Sequence, residues 1–410
     1  MSFLSQTFRT RFVSAAALAA ALASTEVHAR PEYAARLGYI NCTACHVSST
    51  GGGPRTVDGK MWGGRGGNAT SWVSRQDLFS VDFRSIGLFP SDPKTASASE
   101  VALMAVTPQA NIKITDLKDG GVETHLVTGV QLGLLGFGGV VPRESYVLAR
   151  LKEPSENGLV KDIVFGRFIV PYGVMTDEHR TYVRTQDKTG MYDFEMGALV
   201  SGDLLPYLHH DLGVTTGFQN GGNFVANDQT YALFANARAT APGLPFHVGS
   251  SWSQHHSDNA SYDPFSASLY TGWSLDKLSR GLLRGALLFE YEVAHGWNDP
   301  TRNSTNLGKY FTSAVYQSAV KDSYSAGAYG LADFVLNDRW SVFYKYDRLA
   351  FDLRYPGDAF NRHGIGAKYY FNPYMSLSAR YEISSSGRDE LNTGTPNTRN
   401  DVLLYFITSI

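Results

Sequence analysis

The chain has 410 residues, with 36 Lys and Arg against 38 Asp and Glu, a formal net charge of −2. That balance offers no basic stripe for nucleic acid, so no nucleic-acid partner is expected. With 41 Gly, 23 Tyr, 23 Phe and only 18% charged residues, the composition suits many strands joined by turns.

The first residues read as an export signal. Arg9 and Arg11 form a positive start, and Val13 to Ala23 an Ala-rich apolar run. Val27-His28-Ala29 is a small-residue ending, with cleavage expected before Arg30. The run is too short for a membrane helix, which needs about 20 apolar residues. Residues 1–29 are therefore assigned to a signal peptide.

Residues 30–77 follow as a short segment built around Cys42-Thr43-Ala44-Cys45-His46. Cys42 and Cys45 are the chain's 2 cysteines. A zinc site would want a second ligand pair at fixed spacing, and there is no second cysteine pair. A redox disulfide would want a βαβ context, which is absent nearby. C-x-x-C-H is the attachment motif for one c-type haem. The thiols of Cys42 and Cys45 add to the two haem vinyl groups, and His46 binds the iron as axial ligand. Met61 is a candidate sixth ligand, or else an apolar contact. Histidines at 125, 179, 209, 210, 247, 255, 256, 295 and 363 could ligate only where the haem docks against them. The run 51–67 is so rich in Gly that a long helix is ruled out, at about 1 kcal/mol per interior Gly. The segment falls near the size, about 40 residues, below which a core rarely forms alone. It must lean on a larger domain.

From residue 78 to 410 the chain alternates. Trp340, Val342, Tyr344 and Tyr346 share one face, against Arg339, Ser341, Phe343, Lys345 and Asp347. Ser376, Ser378, Arg380 and Glu382 alternate with Met375, Leu377, Ala379, Tyr381 and Ile383. Period two means strands, and one polar face means a sheet wet on one side. Segments begin near residues 78, 101, 123, 143, 160, 194, 208, 229, 245, 265, 281, 310, 324, 339, 361, 375 and 400. Bacterial single-chain barrels have an even strand number, so one start is surplus and about 16 strands are expected. The final run, Asp401 to Ile410, suits closure against the first strand. Trp273, Trp297, Tyr310, Trp340 and Phe371 suit interface girdles. A soluble sandwich or propeller fits less well, because no blade-length repeat is present. The expected fold is thus all-β: a transmembrane antiparallel barrel in the bacterial outer membrane, preceded by a short monohaem c-type segment.

That order of signal, haem motif and barrel resembles the fused monohaem cytochrome–porins of the bacterial outer membrane, whose best-known members are iron oxidases. Where those relatives carry a Leu-Thr-x-Phe-Gly-Arg type run, this chain has Pro54-Arg55-Thr56-Val57-Asp58-Gly59-Lys60-Met61. The resemblance implies oxidation of extracellular Fe(II) or another donor, with electrons passed to a periplasmic electron-transfer protein such as a soluble cytochrome.

Other polar groups are weighed beside it. Asp177, Glu178 and His179 form a loop cluster that could take a hard metal, or be solvated pore residues. His209-His210-Asp211 and His255-His256 can each aim only alternate residues at the lumen. Arg143, Arg150, Arg167, Arg184, Arg284 and Arg380 are expected to line the lumen. Three functions stay open: an electron conduit through the haem, a porin-like solute channel with a haem plug or sensor, and a haem peroxidase at the surface.

Overall fold

The structure is a computed structural model. It describes residues 46–48, 78–90, 100–117, 121–132, 140–152, 157–175, 181–184, 193–216, 231–240, 243–256, 263–295, 324–350, 352–354, 359–372, 375–386 and 398–409. Cys42, Cys45 and Met61 lie outside the described residues, as do residues 176–180, Trp297 and Tyr310.

The strands are β1 (Phe79–Pro90), β2 (Glu100–Thr115), β3 (Glu123–Leu132), β4 (Val140–Arg150), β5 (Gly158–Ile169), β6 (Phe194–Leu205), β7 (Leu208–Thr215) and β8 (Tyr231–Thr240). They continue as β9 (Phe246–His256), β10 (Phe265–Ser274), β11 (Gly285–His295), β12 (Tyr324–Val335), β13 (Trp340–Ala350), β14 (Phe360–Asn372), β15 (Met375–Ser386) and β16 (Thr398–Ser409). Each pairs antiparallel with its sequence neighbours, and β16 closes the ring on β1, Phe83 opposite Thr408 and Pro90 opposite Asp401. The expected start near 310 falls outside the described residues, and the ring closes without it. Closure matters energetically. A bilayer offers no water to edge N–H and C=O groups, so a spanning sheet must have no edge.

The alternation resolves into two opposite surfaces. On β13, Trp340, Tyr344 and Arg348 are exposed, while Ser341, Phe343, Lys345 and Asp347 are buried. On β15, Leu377, Tyr381 and Ile383 are exposed, while Ser376, Arg380 and Glu382 are buried. The exposed set is apolar all round, with Phe165 66%, Leu269 68% and Ile365 63% exposed. The buried set is rich in Asp, Glu, Arg, Lys, His and Ser. A soluble protein would reverse this. An apolar outside around a polar lumen is what lipid demands.

Aromatic pairs mark both interfaces. At one end Phe246 packs on Trp273 and Trp340 on Tyr369, each with ring centroids 4.8 Å apart. At the other end His295 packs on Tyr324 at 4.4 Å. Few residues separate β6 from β7, β12 from β13 and β14 from β15 at the first end; many separate β5 from β6 and β11 from β12 at the second. Outer-membrane barrels put short turns on the periplasmic side. β1 begins and β16 ends there.

Candidate functional site in the barrel lumen

Two pieces of chain enter the lumen. The first is His46-Val47-Ser48, directly after the cysteine spacing. All three are buried, His46 at 7% exposure. Val47 packs with Val127, Tyr146, Leu148, Val164 and Phe168, side chains on the inward parity of β3, β4 and β5. Arg150, at the periplasmic end of β4, anchors it. Its Nη2 donates to the Val47 carbonyl at 2.7 Å, its Nε to Asp162 Oδ1 at 3.0 Å and its Nη1 to Glu123 Oε1 at 3.3 Å. Glu123 also accepts from Lys113 Nζ at 2.9 Å and meets His125 Nε2 at 2.6 Å. The Tyr146 hydroxyl shares a hydrogen bond with the Ser48 side chain. A buried guanidinium costs several kcal/mol unless paired, and Arg150 has two carboxylates and a carbonyl.

The second piece is the connection from β5 to β6. Val170, Tyr172, Val174, Tyr182, Val183 and Arg184 are all buried. The backbone N–H of Gly173 donates to Ser251 Oγ at 2.9 Å, that of Val174 to Glu290 Oε2 at 3.0 Å, and that of Arg184 to Glu292 Oε2 at 2.9 Å. Val174 and Val183 pack with Tyr270, Ala286, Leu288 and Tyr329. The Arg362 guanidinium sits 4.6 Å from the Tyr182 ring centre. This segment therefore leaves β5 and crosses the lumen to the wall of β9–β14, forming a strap. Gly173 has φ +59, and a Cβ there would lie 1.8 Å from Glu290 Oε1. Only glycine lets the strap approach that carboxylate so closely.

Polar chains line the remaining wall. Lys161 Nζ donates to Asp203 Oδ2 at 2.5 Å, and His209 Nδ1 meets Asp203 Oδ1 at 2.7 Å. Ser201 Oγ and Asn236 Nδ2 donate to the two Asp211 oxygens at 2.6 and 2.9 Å. Ser251 Oγ donates to Asn236 Oδ1 at 2.9 Å and so ties this network to the strap. Thr215 Oγ1 donates to Glu195. On the far wall Lys345 and Arg362 pair with Asp347 at 2.9 and 3.3 Å, and Arg380 with Glu382 at 2.9 Å.

The sequence-derived sites sort as follows. His46 is in the lumen. His125, His209, His247 and His255 share the inward parity, whereas His210, His256, His295 and His363 take the outward one. Among the described residues no three His, Cys, Asp or Glu come together to hold a metal ion. Arg150 and Arg380 face the lumen, and Arg184 is buried in the strap. Arg143 and Arg167 are buried too, beside the buried Glu144, and both lie over the Phe194 ring, at 5.0 and 5.7 Å. Arg284 corrects the expectation: it sits in a turn, 3.6 Å from the exposed Asp338. The donor set fits a c-type haem: two thiols at the right spacing, a buried imidazole after them, and an apolar stretch of wall beneath the next residue.

No protein-family model matches the sequence, and no curated protein sequence matches it. Solved structures do. The outer membrane channel DcaP of Acinetobacter baumannii superposes with TM-score 0.54 at 11% identity, covering 81% of this chain and 96% of that one. The anion-selective porin of Comamonas acidovorans gives 0.55 at 9% identity, over 81% and 98%. Salmonella typhi OmpF gives 0.55 at 12% identity, over 81% and 97%. At such identities the likeness is one of fold. The chain is a closed antiparallel barrel of the outer-membrane porin kind, and its apolar girdle places it in the bacterial outer membrane.

Proposed function

We propose that this chain is a porin-like channel whose lumen is narrowed by the β5–β6 strap and plugged by its own haem-bearing segment. The observation that carries the reading is the burial of His46, Val47 and Ser48 against the inner wall, with Arg150 on the Val47 carbonyl. Cys42 and Cys45 would hold the haem covalently and His46 would be its axial ligand, with Met61 the candidate on the other face. When bound, the haem supplies a one-electron couple. The chain's own part is to seat the segment, shield it from lipid and narrow the path for solutes. The test is solute flux through proteoliposomes, paired with a haem stain after denaturing electrophoresis. The stain should persist in the natural chain and vanish when both Cys42→Ser and Cys45→Ser are made. Flux should be low in the natural chain and rise when the segment is displaced. Absence of flux in both states would overturn the channel reading.

A second reading rests on the same burial. A haem at His46 inside the lumen would be insulated from lipid and open to aqueous donors through the long-loop mouth. The chain would then pass single electrons from extracellular Fe(II), or another donor, to a periplasmic cytochrome. Stopped-flow mixing with Fe(II) tests this. The haem should be reduced. No reduction at any pH tried would remove Fe(II) as the donor.

A further inference from the structure

The outward wall between β10 and β14 has a depression that neither reading uses. The outward positions of β12 carry Ala328, Gly330 and Ala332, three small residues in succession. Their neighbours are large: Phe289 and Tyr291 on β11, Tyr344 and Tyr346 on β13. The register sets Gly330 opposite Phe289 on one side and Tyr346 on the other. The result is a groove of about 990 Å³, reached also by Leu269 and His363. A Cβ added to Gly330 would lie 3.6 Å from Phe289 and 3.9 Å from Tyr346, so the floor is open.

Just beyond the groove's long-loop end the outward positions turn polar. Arg348 stands opposite Ala328, is exposed, and makes no ion pair among the described residues. Asn361 stands opposite Arg348 and accepts from the Tyr346 hydroxyl at 3.0 Å. His363 Nδ1 meets the Tyr344 hydroxyl at 2.7 Å.

We propose that this groove binds a phosphorylated lipid of the outer leaflet, with one acyl chain along β12 and its phosphate at Arg348. The parity of the lining residues aims the groove at the bilayer. An unfilled apolar hollow there would forfeit dispersion contacts, and the available filler is a hydrocarbon chain. The walls cover far less than the about 800 Å² per partner that a stable subunit interface needs, which argues against a second copy. Arginine is the residue suited to a phosphate, through paired N–H donors. It stands at the groove end nearest the long loops, where outer-leaflet headgroups lie.

The test uses the full chain in nanodiscs of phosphatidylcholine with a minor share of phosphatidylglycerol, and native mass spectrometry to count retained lipids. The natural chain should keep phosphatidylglycerol preferentially. Gly330→Phe should lose the retained lipid, whereas Ala379→Phe, on the outward face of β15, should keep it. Arg348→Ala should keep a lipid but lose about tenfold in preference for the anionic one, with Arg348→Lys restoring part. Equal retention in Gly330→Phe and the natural chain, both with barrel circular dichroism, would overturn the proposal. So would an unchanged preference in Arg348→Ala. A Gly330→Phe chain that instead changes oligomeric state would assign the groove to a subunit contact, also against it.

Discussion

Replacing Arg150 with Ala should release the segment at residues 46–48 while leaving the barrel closed. The bond lost is the charge-assisted one to the Val47 carbonyl at 2.7 Å. Such bonds contribute about 1.5–3 kcal/mol. At about 2 kcal/mol the ratio of seated to released segment falls about thirtyfold. The same change strips Asp162 and Glu123 of their guanidinium, which alone destabilises the wall. Combining Arg150→Ala with Asp162→Asn removes most of that orphaned charge without restoring the tether. Hydrogen exchange at the backbone amides of residues 46–48 in proteoliposomes reports release directly. Both variants should exchange there about thirtyfold faster. Arg150→Lys should lie between, since a lysine can reach one partner as a point charge but cannot fork across three. An unchanged exchange rate at residues 46–48 in a folded Arg150→Ala chain would refute the tether.

Gly173→Ala should push the strap off Glu290, because the new Cβ lies 1.8 Å from a carboxylate oxygen and φ is +59; a barrel melting point several degrees lower, with higher conductance in planar bilayers, would show it. Glu290→Gln keeps an acceptor for the Val174 N–H and should open the channel less than Glu290→Ala, as read by single-channel conductance. Phe165→Arg, at a position 66% exposed to lipid in mid-strand, should cost about 2–4 kcal/mol in urea unfolding from vesicles. Ser253→Arg on the inward face of β9 should cost less than that and instead change ion selectivity.

Much of this fold could be read from period two. β13, β14 and β15 alternate so cleanly that both surfaces follow from residue type alone. Other features defeat that reading for physical reasons. On β4, Val147 and Leu148 are both apolar, so hydropathy does not say which one faces lipid. Leu148 is the inward one, and it helps make the apolar seat for Val47. Arg284 has the charge of a lumen residue, but position outranks type: it sits in the exposed turn just before β11. The strap was legible in outline only. Pro171-Tyr172-Gly173-Val174 looks like a loop, and it is one, yet Tyr172, Val174, Tyr182 and Val183 are large apolar residues without strand period. A loop carrying such residues must bury them somewhere, and here the lumen takes them. The seating of Val47 rests on Arg150, 103 positions onward in the numbering, a contact that no local pattern announces.

The seam between β1 and β16 sets an order of events for assembly. Residues 46–48 lie in the lumen, and the next strand along the chain, β1, is one side of the seam that closes the ring. A thread lying inside a hoop whose clasp is its own next link has to be laid in before the clasp shuts, or be drawn back through the mouth. Any bulky group on Cys42 and Cys45 travels with it. Were such a group attached, covalent loading in the periplasm, ahead of insertion, would be the route that asks least of the finished barrel.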